Sequence, residues 1–169
     1  MSIGPGDVAL VPDVTFVATA NGVRYAGGTP VLVDVDAKSG LVDLSELERL
    51  AIEMKPKAIL PVSLTGSPPD LAAVRRIADR NGAVVIEDAA HSLGATYSSG
   101  SATFRSASCT HTDMAILSFH PVKHLTTGEG GAITTNDAAL YRGMMGLGTT
   151  SSRSSASTTA SRIFSARLG

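Results

Sequence analysis

Short apolar segments alternate with helical periodicity along most of this chain. Five apolar runs with almost no polar interruption are typical of strands that are covered on both faces of a sheet. Between them, residues 43–54 and 70–82 place apolar side chains three and four positions apart, which predicts two amphipathic helices. Strands that alternate with helices predict an α/β fold with a mostly parallel sheet and helices on both faces. The five predicted strands lie at residues 8–11, 30–35, 57–62, 83–88 and 114–119.

The predicted helices carry signals for where they begin and end. Asp43 is the expected N-cap of the first helix, because its side chain can accept hydrogen bonds from the free N–H groups of the first turn. Glu46 follows three residues later, which strengthens this prediction. Gly82 follows the second helix and is expected to end it.

Two segments break the alternation. Residues 98–112 are rich in serine and threonine and predict a long loop or an irregular hairpin between two strands. From Gly146 onward the chain has no acidic residue and few large apolar ones, so residues 146–169 are predicted to be a disordered tail. The expected organisation is therefore one domain over residues 1–145, followed by that tail.

The composition favours a soluble globular domain. With 169 residues, 43% of them hydrophobic and 17% charged, the chain is long enough to bury a core. Its formal net charge of -1 argues against nucleic acid or an anionic membrane as a partner. A single cysteine, Cys109, excludes an internal disulfide framework, and the N-terminus lacks a signal-peptide pattern. No apolar run approaches the length of a membrane span, so the expected compartment is the cytoplasm.

Side chains suited to catalysis follow several of the predicted strands. Asp88 ends one strand and is followed by His91, while Ser118 ends another strand and is followed by Lys123. Phe16 follows the first strand. Because ligands of open α/β sheets gather beyond the carboxyl ends of the strands, all five residues are expected at one edge. Together they match what pyridoxal phosphate (PLP) needs: a Schiff-base lysine, a carboxylate for the ring nitrogen, a hydroxyl for the phosphate and an aromatic ring.

Taken singly, these residues also have ordinary structural explanations. Asp88 could cap a helix, as aspartates after strands often do. Phe16 could belong to the core, and Lys123 could be a solvent-facing surface charge. The interpretation as a cofactor site therefore depends on these side chains meeting in the folded chain.

Other motifs near the lysine predict competing chemistry less well. His120 and His124 have the spacing of two metal ligands on one helical turn, but a proline between them disfavours that helix, and no metal site is predicted. The glycine-rich residues 128–131 follow the lysine and lack the spacing of a P-loop. Glu87 is expected to point away from Asp88, because neighbours along a strand face opposite sides.

Two blocks of the chain resemble the signature blocks of the DegT/StrS family of PLP-dependent nucleotide-sugar aminotransferases: VIEDAAHSLGATY at residues 85–97 and DMAILSFHPVKHLTTGEGGAITTND at residues 113–137. The second block is most similar to transaminases that act on UDP-4-keto-6-deoxy-N-acetylhexosamines. Together with the stretch that begins at GPGD, the resemblance covers residues 3–142. It implies the large domain of a fold-type I PLP-dependent transferase, a three-layer α/β/α domain with a mostly parallel sheet, here incomplete.

The resemblance implies a role for each residue that matches the family motif. Lys123 would form the Schiff base with PLP, and Asp88 would pair with the pyridinium nitrogen. Four further residues would bind the cofactor: His91 beside its phenolic oxygen, Ser118 at its phosphate, and Phe16 and Ala90 on the two faces of its ring.

The implied activity is transamination between an amino donor, with glutamate expected, and a keto-sugar nucleotide. The implied assembly is a homodimer with active sites at the interface. The alternative is a non-catalytic remnant or a regulatory relative of such an enzyme.

Three features depart from the family pattern. An upstream phosphate-binding turn is not seen in the sequence. The Ser/Arg-rich tail, residues 146–169, replaces the small C-terminal domain, as if the reading frame had shifted near residues 143–146. Ser63 stands where relatives usually have histidine. We therefore expect residues 1–169, when isolated, to be inactive.

Overall fold

A seven-stranded sheet runs through the computed structural model, which describes residues 2–147 and 164–165. A two-stranded hairpin lies outside this sheet. In chain order the strands are β1 (Val8–Pro12), β2 (Thr29–Val33), β3 (Ala58–Ile59), β4 (Val84–Asp88), β5 (Thr96–Ser99), β6 (Ala102–Arg105), β7 (Met114–Ser118), β8 (Gly131–Thr134) and β9 (Phe164–Ser165).

The sheet is parallel over most of its width, as predicted. Its strand order is β2, β1, β3, β4, β7, β8, β9, and the first five strands pair in parallel. Strands β8 and β9 pair antiparallel at one side. The carboxyl ends of the parallel strands therefore meet at a single edge.

Helices cover both faces of the sheet. The described helices are α1 (Val17–Tyr25), α2 (Leu44–Met54), α3 (Leu71–Asn81) and α4 (Ala138–Leu147). Leu10 of β1 packs in one buried cluster with residues of α2 and α3. Its neighbours Ala9 and Val11 pack in a second cluster with Val23 of α1. Because alternate strand residues face opposite sides, α1 lies on the face opposite α2 and α3, which gives the expected three layers.

The ends of α2 and α3 confirm the predicted signals. The Asp43 carboxylate accepts hydrogen bonds from the N–H groups of Ser45 and Glu46, at 2.8 and 3.0 Å. Gly82 ends α3 with a φ of 67°, in the left-handed region where glycine has no steric penalty. These local contacts fix where α2 begins and where α3 ends.

Two predicted segments differ in extent from the folded elements. The strand predicted at residues 57–62 is limited to β3, because Leu60 donates to the Leu10 carbonyl at 2.9 Å but the following Pro61 has no N–H to continue the ladder. The segment predicted as a loop or irregular hairpin at residues 98–112 overlaps the antiparallel pair β5 and β6, which begins two residues earlier, at Thr96.

The predicted tail lies mostly outside the described residues, which omit 148–163 and 166–169. Of its described part, α4 runs to Leu147, and Ile133 of β8 pairs with Phe164 of β9. The boundary after residue 145 stays a prediction. Within the described ranges, no helix is both long enough and apolar enough to cross a membrane.

Candidate active site

A cavity of about 990 Å³ opens where β4 and β7 end. These strands are parallel neighbours, with Asp88 in register with Ile116. Ile86 and Asp88 of β4, and Ile116 and Ser118 of β7, all line the cavity. This spacing of two along each strand is expected when alternate side chains share one face of a sheet. The cavity lies on the face that α1 covers, and α1 contributes Thr19 and Val23 to its wall.

The side chains predicted at this edge do meet. The wall of the cavity includes all six residues selected from the sequence: Phe16, Asp88, Ala90, His91, Ser118 and Lys123. Residues far apart in the sequence therefore line one cavity, as expected when ligands bind beyond the carboxyl ends of parallel strands.

Asp88 is the last residue of β4, and its two carboxylate oxygens have different donors. The hydroxyl of Thr19 donates to Oδ2 at 2.7 Å, and the backbone N–H of Ala90 donates to Oδ1 at 3.1 Å. Asp88 is not the N-cap of any helix in the described part of the chain, so the helix-cap interpretation is wrong. Each oxygen keeps a further lone pair, which leaves the carboxylate able to accept another hydrogen bond.

Lys123 lies in a loop whose two ends are tied together. Phe119 donates its N–H to the Gly130 carbonyl at 2.8 Å and accepts from the Thr127 N–H at 3.1 Å. Lys123 is half-buried although the residues on either side of it are exposed. Its amine makes no hydrogen bond or ion pair with any of the residues that the structure describes. The loop therefore holds an unpaired primary amine at the wall of the cavity.

One glycine after this loop is required by close packing. In the pairing of β7 with β8, Gly131 lies opposite Ser118. A Cβ added at Gly131 would lie 2.9 Å from the carbonyl oxygen of Leu117. Only glycine permits this approach, which fixes how the loop returns to the sheet after presenting Lys123.

The remaining predicted residues occupy the wall in distinct ways. His91 accepts at Nδ1 from the N–H of Thr65 at 3.4 Å, which leaves its Nε2 free of that contact. The Ser118 hydroxyl accepts from the N–H of His120 at 3.4 Å. Phe16 immediately precedes α1 and is 71% exposed, so its interpretation as a core residue is wrong.

Sequence reasoning missed the contribution of Thr19. This residue contacts Asp88 across 69 positions of sequence, and no local pattern reports such a contact. A partial signal exists, because Thr19 lies in the first turn of α1, directly after Phe16, which lines the same cavity.

Glu87 points away from the cavity, as predicted. It is 1% exposed and accepts hydrogen bonds from the Ser63 hydroxyl at 2.7 Å, the Ser106 hydroxyl at 2.5 Å and the Ala107 N–H at 2.9 Å. Ser63, the departure from the family pattern, is thus a buried partner of this carboxylate. The cluster joins β4 to the segments before and after it, on the face of the sheet opposite the Asp88 side chain.

Glu87→Gln should lower the free energy of unfolding by about 1–3 kcal/mol, because the amide nitrogen places a donor where buried donors need an acceptor. Glu53→Gln is the matched control, since Glu53 forms an exposed pair with Arg49 on α2. That control should change stability by less than about 1 kcal/mol. Urea denaturation of both variants measures the difference, and equal stabilities would disprove this role for Glu87.

Two other reactive groups, Cys109 outside the cavity wall and His120 within it, have no role in the proposed chemistry. Burial raises the pKa of the Cys109 thiol, and its Sγ donates to the Thr134 carbonyl at 3.3 Å, so the nucleophilic thiolate is disfavoured. His120 lies 3.9 Å from Glu129, and among the described residues no group of three or more potential metal ligands gathers.

The chemistry of the cavity wall fits PLP. Four groups line the same cavity: an unpaired amine, a carboxylate with remaining acceptor capacity, a hydroxyl and an exposed aromatic ring. They belong to Lys123, Asp88, Ser118 and Phe16. These groups match, in order, the aldehyde, the ring nitrogen, the phosphate and the ring face of the cofactor.

The chain has a mostly parallel α/β sheet with these groups at its carboxyl edge. Its fold therefore belongs to the PLP-dependent transferase class. Residues 1–168 match the DegT/DnrJ/EryC1/StrS aminotransferase family, and the chain belongs to that family.

Individual relatives agree with this assignment. GDP-perosamine synthase of Caulobacter vibrioides is 46% identical over 154 residues, which cover 88% of this chain and 39% of that protein. The S. venezuelae protein DesV is 36% identical, with a TM-score of 0.79 over 96% of this chain and 42% of its own. Spr1654 of Streptococcus pneumoniae in its PLP form is 31% identical, with a TM-score of 0.72 over 85% and 39%. The chain thus spans about two fifths of the length of these relatives.

Proposed function

We propose that the protein is a PLP-dependent aminotransferase that acts on a keto-sugar nucleotide in the cytoplasm. One observation carries this proposal: the unpaired amine of Lys123 and the carboxylate of Asp88 line the same cavity at the carboxyl edge of the sheet. Membership of an aminotransferase family supports the reaction class. The similarity to GDP-perosamine synthase supports a nucleotide-linked sugar as the substrate class.

The proposed roles follow from the chemistry of each side chain. When bound, PLP supplies an electron sink for the carbon that exchanges its amino group. Lys123 would hold the cofactor covalently and, once released, would move a proton between its amine and the substrate carbon. Asp88 would accept a hydrogen bond from the ring nitrogen and keep that nitrogen protonated, because a nearby carboxylate favours the cation.

The other wall residues would hold and orient the cofactor. Ser118 would donate its hydroxyl to the phosphate, and His91 would face the phenolic oxygen through its ring. Phe16 and Ala90 would contact opposite faces of the pyridine ring. Because Phe16 is 71% exposed, its aromatic face is available for stacking.

The finer proposal is a UDP-4-keto-6-deoxy-N-acetylhexosamine as acceptor and glutamate as amino donor, from the resemblance of residues 113–137. A GDP-linked sugar is the second candidate, favoured by the 46% identity to GDP-perosamine synthase. A homodimer is part of the proposal as well. Val14 and Val17 are exposed apolar residues outside the cavity wall, and such surfaces favour association.

The test uses the intact gene product, loaded with PLP and mixed with glutamate. One equivalent of 2-oxoglutarate should form for each PLP site, because the amino group moves to the cofactor. Adding UDP-linked or GDP-linked keto sugars should then yield one aminosugar and identify the nucleotide. A protein that binds PLP but yields no keto acid from any amino donor would support the non-catalytic alternative instead.

A further inference from the structure

Two threonines approach Asp88 from α1 and the residues just before it. The Thr19 hydroxyl donates to Asp88 Oδ2 at 2.7 Å. The hydroxyl of Thr15 lies 2.9 Å from the Thr19 hydroxyl. Thr15 and Thr19 are both half-buried, so this chain of contacts is partly shielded from water. It connects one end of α1 to the end of β4.

The direction of the hydrogen bonds is fixed by their end point. An ionised carboxylate can only accept, so the single hydroxyl proton of Thr19 is used on Asp88. The Thr19 oxygen must therefore accept from Thr15, whose hydroxyl is the donor. The chain runs from Thr15 through Thr19 to Asp88, and hydrogen bonds that point the same way strengthen each other.

These contacts constrain the plane of the carboxylate. The last torsion of an aspartate side chain is broad and does not by itself fix that plane. At Asp88, one oxygen accepts from the Ala90 backbone and the other from Thr19. Without the Thr19 hydroxyl, Oδ2 would lose its donor. The carboxylate could then rotate about its Cβ–Cγ bond, restrained only by the contact with the Ala90 N–H.

We propose that Thr19 is a positioning residue that sets the orientation of the Asp88 carboxylate toward the ring nitrogen of PLP, with Thr15 orienting the Thr19 hydroxyl. This inference rests on the proposed function. Thr19 acts through Asp88 alone and takes no part in moving the amino group. Its effect is to keep the acceptor lone pair of Asp88 directed into the cavity before the cofactor arrives.

The test compares Thr19→Val, which removes the hydroxyl but keeps the shape, with Thr19→Ser, which keeps the hydroxyl. The intact gene product is titrated with PLP labelled with ¹⁵N in its ring, and the ¹⁵N chemical shift reports whether that nitrogen is protonated. Thr19→Val should weaken PLP binding on the order of tenfold and lower the pH at which the ring nitrogen loses its proton. Thr19→Ser should restore both values to within about twofold of the parent.

Two further variants test the chain of hydrogen bonds from Thr15 through Thr19 to Asp88. Thr15→Val should weaken PLP binding less than Thr19→Val does, because it removes the support of a hydroxyl and not the contact with Asp88. Thr103→Val is the matched control, since Thr103 is exposed on β6 and does not line the cavity. It should leave PLP affinity and the ¹⁵N shift unchanged.

The outcomes separate the inference from the proposed function. If the parent protein fails to bind PLP, the proposed function and this inference both fail. If the parent binds PLP and Thr19→Val gives the same affinity and the same ¹⁵N shift, the inference alone is overturned. A Thr19→Ser variant that matches Thr19→Val would also overturn it, because the methyl group and not the hydroxyl would then carry the effect.

Discussion

Replacing Lys123 by alanine should abolish covalent attachment of PLP and slow amino transfer by a factor on the order of 10³. The substitution removes both the amine that holds the cofactor and the base that moves the proton. Among the described residues that line the cavity, no other side chain supplies a primary amine. The measurements are the absorption of the bound cofactor and the rate of 2-oxoglutarate formation from glutamate.

Lys38→Ala is the matched control for this prediction. Lys38 is exposed in the loop between β2 and α2 and lies away from the cavity. Its removal should leave the spectrum and the rate within about twofold of the parent, as for most surface substitutions. A Lys123→Ala protein that retained the parental spectrum would show that another residue holds the cofactor.

The second large effect is expected for Asp88→Asn. This variant should retain most PLP, but its rate of amino transfer should fall by about 10²-fold or more. A neutral amide cannot keep the ring nitrogen protonated, so the cofactor loses its capacity to accept electrons. The shape of the side chain and its contact with the Thr19 hydroxyl are preserved through the amide oxygen. PLP affinity and the rate of the glutamate reaction, measured on one preparation, distinguish binding from catalysis.

Asp34→Asn serves as the control for loss of a carboxylate. Asp34 is exposed, and within the described part of the chain its side chain accepts from the adjacent backbone N–H of Val35 alone. Its rate should match that of the parent. If Asp88→Asn also turned over at the parental rate, Asp88 would have only the structural role of ordering the turn after β4.

Local patterns in the sequence were sufficient to predict most of the fold. Apolar runs marked the parallel strands, and the Asp43 and Gly82 signals marked helix ends that the structure confirms. The antiparallel strands β8 and β9 were not predicted. Strand direction depends on which segments pair, and pairing is a property of the folded chain that hydrophobic periodicity does not contain.

The site was predictable where it follows from strand ends, and not where it follows from distant contacts. Asp88 and Ser118 end neighbouring strands, so the sequence order alone placed them at one edge. Thr19 could not be found in this way, because its contact spans 69 positions. The same holds for the three donors around Glu87, although its direction away from Asp88 followed from strand alternation.

The most direct test of the account is the identity of the lysine that carries PLP. The intact gene product is incubated with PLP, reduced with sodium borohydride and digested, and the modified peptide is located by mass spectrometry. We expect one PLP-derived adduct, on Lys123, in the loop between β7 and β8. An adduct on Lys55 or Lys57, with Lys123 unmodified, would contradict it.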